Sequence, residues 1–144
     1  MSATEFLCQI IGVNPAVFSM AENILLEAEL FTRVCEQLKE VYREKYKNYF
    51  RVMKFTTEME NSMLDSNFIR YALNDILLTE DYSVAGIAYH TRIPEEVISD
   101  LVAGFNTTPS LPLSRQIINL HRSVKPALYK EMMEKILLAY VNSD

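Results

Sequence analysis

The chain has no tryptophan, two cysteines, two histidines, three glycines and five prolines in 144 residues. Two cysteines, Cys8 and Cys35, are too few for a disulfide framework or a cysteine-based zinc site. They are expected to act as small core hydrophobes in a reducing cytoplasm. Scarce glycine and proline, with no repeats or low-complexity runs, argue against disorder. No run of 18 apolar residues is present, and no charged-then-apolar leader opens the chain. The expectation is a soluble cytoplasmic protein with no membrane contact. His90 and His121 have no cysteine or serine beside them in a motif, and no glycine loop could cradle a phosphate. No enzyme, cofactor or metal site is therefore expected.

What is present is helix-forming. Leu, Ile, Ala, Met, Glu and Lys dominate, 49% of residues are hydrophobic, and strand-like alternation is missing. The fold class expected is all-α. Net charge is −5, but the charges are segregated. Residues 39–54 carry +4, whereas 55–81 carry −5 and 1–38 carry −4. Local fields therefore outweigh the total.

Asn14-Pro15 reads as a helix start, since Asn can cap free N–H groups and Pro tolerates the first helical position. No Gly or Pro then occurs from Ala16 to Ala85. A three-four spacing runs through Val17, Ala21, Ile24, Ala28, Phe31, Cys35, Leu38, Tyr42, Lys45, Tyr49, Val52, Thr56, Met59 and Met63. Such a seam suits a helix lying lengthwise on another helix. A continuous helix over residues 15–54 would extend about 60 Å, against a radius of gyration near 15 Å for a compact chain of this size. The segment is thus expected either as a long dimerisation helix or as a hairpin turning near Lys47-Asn48. Candidate dimer contacts are Ile24, Phe31, Leu38, Tyr42 and Tyr49, joined by Met132 and Ile136 of the last helix, 126–141.

Further along, Thr57 and Glu60 have capping-box spacing, and Asp65-Ser66-Asn67 offers caps for another helix. Residues 39–54, KEVYREKYKNYFRVMK, interleave six cations with Tyr42, Tyr46, Tyr49 and Phe50. That mixture can grip single-stranded nucleic acid, but Tyr42 and Tyr49 fall on the apolar seam and favour packing. Glu40 and Glu44 fit ordinary surface pairing with Arg43 and Lys47.

Residues 83–110, SVAGIAYHTRIPEEVISDLVAGFNTTPS, carry the most specific pattern. Ser83 can cap a short helix whose Ile87 and Ala88 point inward. Thr91-Arg92-Ile93 makes a turn, and Pro94 starts a second helix with Ile98 and Leu101 inside. Gly104 sits where a left-handed cap would end it. Small and apolar residues stand where a helix-turn-helix needs them.

This stretch resembles the helix-turn-helix domain of the phage lambda repressor/Cro (XRE-type) family. The likeness rests on Ser83 to Ala88, Ile93, Ile98, Leu101 and Gly104, continuing through Pro109-Ser110 to Ile117, Ile118 and Leu120. It implies a five-helix domain over about residues 66–141, hence an oligomerisation segment at 1–62 and a repressor-like domain at 63–144. It also implies a DNA-binding transcriptional regulator acting as a homodimer, whose second helix enters the major groove.

The chain departs from the family pattern twice. Arg92 stands where glycine is common. More seriously, the implied reading face holds Glu95, Glu96, Ser99 and Asp100 beside Pro94 and Ala103. Arg- and Asn-type contacts are the commoner base readers, and three carboxylates repel phosphates. They also suit a helix N-terminus through its dipole. Arg92, Arg115, Ser83 and the Asn106-Thr107-Thr108 loop supply candidate phosphate contacts. The alternative is a protein-interaction adaptor whose acidic helix binds a basic protein partner.

Overall fold

The computed structural model describes residues 5, 7–9 and 12–141, apart from the side chains of Pro15, Tyr140 and Val141. Every regular element among them is helical, so the chain is all-α. Contacts divide it into two compact units, residues 1–38 with 126–144, and Lys39–Lys125. That partition differs from one at 62/63, because it runs through the first long helix and groups the last helix with the N-terminal residues.

In the first unit, Asn14-Pro15 starts only a single 3-10 turn, Pro15–Val17, with Asn14 Oδ1 accepting from Ala16 N–H at 3.0 Å. The long helix α1, Met20–Lys45, begins one step later. Ser19 Oγ accepts from Glu22 N–H and Glu22 Oε1 accepts from Ser19 N–H, each at 3.1 Å. This reciprocal capping box fixes the start, and those bonds to Ser19 hold the Glu22 carboxyl below its usual range. Leu30, Val34, Cys35 and Leu38 of α1 are buried, as are Tyr129, Met132, Met133 and Ile136 of the last helix. Both cysteines are buried and not joined in a disulfide.

In the second unit, α1 ends at Lys45 and Tyr46 leaves the helical region with φ −105° and ψ 16°. A short helix α2, Lys47–Val52, follows. Lys54 then turns the chain with φ 57°, and Phe55 N–H bonds back to Phe50 O at 3.0 Å. A non-glycine residue in that left-handed region costs on the order of 1 kcal/mol. The uninterrupted helix over 15–54 is therefore not formed; the direction reverses at residues 53–56 without any Gly or Pro to announce it.

Helix α3, Thr57–Leu78, is capped by Thr56, whose Oγ1 accepts from Met59 N–H at 3.2 Å. The cap lies one residue before the expected Thr57. The helix also runs straight through Asp65-Ser66-Asn67. Asp65 and Ser66 face solvent, and Asn67 turns its Nδ2 onto Met63 O at 2.9 Å, so neither end is called for. The C-terminal part of α1 crosses α3: Lys39 reaches Asp65 at 2.9 Å, Arg43 bonds Glu60 and Asn61, and Tyr42 and Tyr46 pack on Tyr71. Burial there pushes the Tyr71 phenol up.

Four elements complete the chain: α4, Val84–Thr91; α5, Glu95–Ala103; α6, Leu111–Val124; and α7, Pro126–Val141. Within the second unit α3 packs along α6 and against α5, and α4 packs against α5 and α6. Ile69, Leu73 and Ile76 of α3, Ile87 of α4, Ile98 and Leu101 of α5, and Ile117 and Ile118 of α6 are buried. At about 1.5 to 3 kcal/mol for each fully buried aliphatic side chain, this core is what holds α4 and α5 in place.

Candidate functional site

The α4–α5 pair is built by its caps. Ser83 Oγ accepts from Gly86 N–H at 3.0 Å and opens α4. Thr91, buried at the other end, donates its hydroxyl to Ile87 O at 2.7 Å. Arg92 then takes φ 60° and ψ 27°, the left-handed conformation that closes α4, in the position where glycine is common. Ile93 is buried beneath the turn, and Pro94 precedes α5. Three residues thus join the helices.

Helix α5 ends at Gly104 with φ 81°. There Arg70 of α3 donates from Nε to Val102 O at 2.9 Å, and its guanidinium lies 3.0 Å from where a Cβ on Gly104 would stand. A cation on the last carbonyls complements the negative end of the helix. Glycine is needed twice over, for its φ and for this close approach.

The outward face of α5 presents Glu95, Glu96, Ser99 and Asp100 together, lining one shallow, open depression. All four are exposed, as is Ala103. None of the three carboxylates makes an ion pair among the described residues. Arg92 is exposed at the N-terminal end of α5. At the opposite end, Phe105 and Asn106 N–H groups both donate to Asp100 O, at 2.9 and 3.3 Å, and Asn106 Oδ1 accepts from Thr108 N–H at 3.1 Å. Thr107 and Thr108 are exposed, and Ser83 is exposed at its cap. Arg115 is half-buried on α6. The nine residues of α5 span about 13 Å, so Arg92 and the 106–108 loop frame opposite ends of the acidic face.

The expected dimer residues separate. Ile24 and Tyr49 are exposed and Phe31 is half-buried. Leu38, Tyr42, Met132 and Ile136 are buried within the single chain, so in this conformation they serve its own core and offer nothing to a second copy. The seam does not stay on one open face because α1 stops at Lys45. On the first turns of α1, Met20, Ile24 and Leu25 are exposed, with Val17 just before them.

One polar cluster escapes the sequence reading. Asp75 Oδ2 accepts from Tyr42 Oη at 2.8 Å and from His121 Nε2 at 2.9 Å, while Oδ1 accepts from Lys45 Nζ at 3.1 Å. Burial would push the Asp75 carboxyl up, but the bonds from His121, Tyr42 and Lys45 outweigh it and hold the group at about 2. Lys45 loses some of its charge preference to burial and regains more from Asp75, for a net rise. His121 is 0% exposed and the Asp75 side chain 12%, with Lys45 at the solvent edge, and the cluster ties α1, α3 and α6 together. The available signal was a polar residue at a core-facing register, Asp75 beside Ala72 and Ile76, and His121 beside Ile117 and Ile118. His90, by contrast, is exposed between the rings of Tyr82 and Tyr89.

Among the described residues no group of three or more His, Cys, Asp and Glu could hold a metal ion, and no helix is long and apolar enough to cross a membrane. Comparison with known proteins finds no matching family model, no matching curated protein and no matching solved structure.

Proposed function

We propose that the chain is a DNA-binding regulator of the lambda repressor/Cro type, acting as a homodimer that presents α5 to the major groove. The observation that carries this reading is the open outward face of α5 on a helix pair joined by a three-residue turn, framed by Arg92 and the Asn106–Thr108 hydroxyls and amides. A helix needs such an unobstructed face to reach base edges. Met20, Ile24 and Leu25 offer an apolar surface for the second subunit. Two recognition helices would then have to lie about 34 Å apart, one turn of DNA. A cytoplasmic location agrees with two buried cysteines that are not joined in a disulfide.

The carboxylates set the strength. With Arg92 the exposed cation beside α5, a dimer brings two cations to the phosphates and six carboxylates with them. Affinity for duplex DNA is therefore low, and its salt dependence shallow, near −2 in log–log slope from about −0.9 per neutralised phosphate. A titration of duplex binding between about 50 and 200 mM salt tests this. No saturable binding at the low-salt end would sink the regulator reading.

A second reading is favoured by one observation: Glu95, Glu96 and Asp100 are all exposed without an ion pair among the described residues. Under it the chain is an adaptor whose acidic α5 binds a basic protein partner, and Glu95→Gln with Glu96→Gln weakens that binding.

A further inference from the structure

The basic, aromatic stretch between Lys39 and Lys54 is sorted by the fold. Lys39 pairs with Asp65, Arg43 with Glu40 and Glu60, Lys45 with Asp75, and Lys47 with Glu44. Tyr42 and Phe50 are buried. Arg51 and Lys54 are left exposed and in no ion pair among the described residues. Around them Tyr49, Val52, Met53 and Met59 are exposed, Val52 at 77%. Contacts of 5.7–5.9 Å among the Tyr49, Phe50 and Phe55 rings hold this surface as a platform. It is an apolar patch with a cationic edge.

The same compact unit carries the complement. Glu95, Glu96 and Asp100 of α5 are exposed, and Phe105, just past the end of that helix, is exposed at 84%. The two faces make no ion pair with each other among the described residues. Met59 sits at the first turn of α3, and Arg70, which holds the end of α5, is eleven residues on, about 16 Å along the helix. Each face therefore remains open, acidic and aromatic at one place, basic and aromatic at the other.

We propose that these faces dock on one another between copies of this chain, the platform of Tyr49, Arg51, Val52 and Lys54 receiving the α5 face of the next copy. A second copy fits better than a lipid surface, because the chain's net charge of −5 opposes an anionic bilayer while its own α5 supplies matching charge, with the exposed Phe105 just past its end. The two surfaces differ, so the contact is head-to-tail and propagates into a ring where its rotation closes and an open filament where it does not. With a handful of side chains on each side it belongs to the weak, transient class, below about 1,200 Å² of buried area. The proposal rests on the acidic-face reading and names the basic partner as the chain itself.

Sedimentation velocity on the full chain without DNA tests it, using two charge reversals on exposed positions: Arg51→Glu with Lys54→Glu, and Glu95→Lys with Glu96→Lys. Wild type should sediment faster as concentration rises, beyond a dimer, and lose that dependence at high salt. Each variant alone should associate about tenfold more weakly or worse, since like charges then face each other. An equal mixture of the two should recover association, because one variant offers two acidic faces and the other two basic ones. A mixture that behaves as its separate components overturns the proposal, as does a wild type with no concentration dependence. If instead a lysine-rich peptide binds wild type and not Glu95→Lys with Glu96→Lys while the mixture stays apart, self-docking is overturned and the acidic-face reading stands. Arg51- and Lys54-dependent binding to anionic vesicles with no recovery in the mixture overturns it in favour of a bilayer.

Discussion

Replacing Asp75 by Asn removes a charge while keeping the shape, and the size of the effect follows from the network. The folded carboxyl sits at about 2 against an ordinary value of 3.8. At about 1.36 kcal/mol per pKa unit, that difference is on the order of 2 kcal/mol of stability at neutral pH. Asn keeps one acceptor for Tyr42 and His121 but turns its amide N–H groups toward Lys45, so nothing offsets the loss. Urea unfolding at pH 7 should show the variant about 2 to 3 kcal/mol less stable. The sign of the pH dependence follows from a depressed folded value: the stabilisation is complete above the unfolded value near 4 and disappears as pH falls through the folded value near 2. The Asp75 contribution to the gap between wild type and variant should be about half as large at pH 3 as at pH 5. A gap below about 0.5 kcal/mol, the range of ordinary surface substitutions, refutes the reasoning. So does one that persists undiminished at pH 3.

Three further outcomes follow from single positions. Gly104→Ala forces a side chain into φ 81° and onto the Arg70 guanidinium, and should cost about 1 to 2 kcal/mol or more in urea unfolding. Thr56→Ala removes the α3 cap and should cost about 1 kcal/mol, whereas Thr57→Ala, inside the first turn, should leave stability nearly unchanged in the same assay. Tyr42→Phe deletes one of the donors to Asp75, so it should destabilise by about 1 kcal/mol and raise the Asp75 pKa seen by NMR titration.

Local chemistry made the α4–α5 region legible. Ser83 caps, Arg92 and Gly104 adopt left-handed conformations, and Ile87, Ile93, Ile98 and Leu101 turn inward, all from interactions within a few residues. The last helix begins at Pro126 for the same reason. The N-terminal half was less legible because its punctuation is unusual. Asn14-Pro15 outshone the Ser19–Glu22 box that starts α1, and Lys54 makes its turn in a conformation glycine would have advertised. Asp65-Ser66-Asn67 carried capping residues that instead pair with Lys39 of α1, face solvent or bond within the helix. Local spacing also could not show that Asp75 meets a histidine 46 residues later, or that Leu38 and Tyr42 are consumed by the chain's own core. The acidic character of α5 was plain in sequence; what the fold adds is that its carboxylates are gathered on one face and make no ion pair among the described residues.

Duplex-DNA affinity of the Glu95→Gln, Glu96→Gln variant, measured beside wild type at low salt, bears most directly on the claim that α5 faces DNA. With the carboxylates near phosphates, the variant should bind about tenfold tighter per subunit pair, or about 1.4 kcal/mol, with an unchanged salt slope because Arg92 is retained. Saturable binding by neither protein, or equal affinity for both, contradicts it.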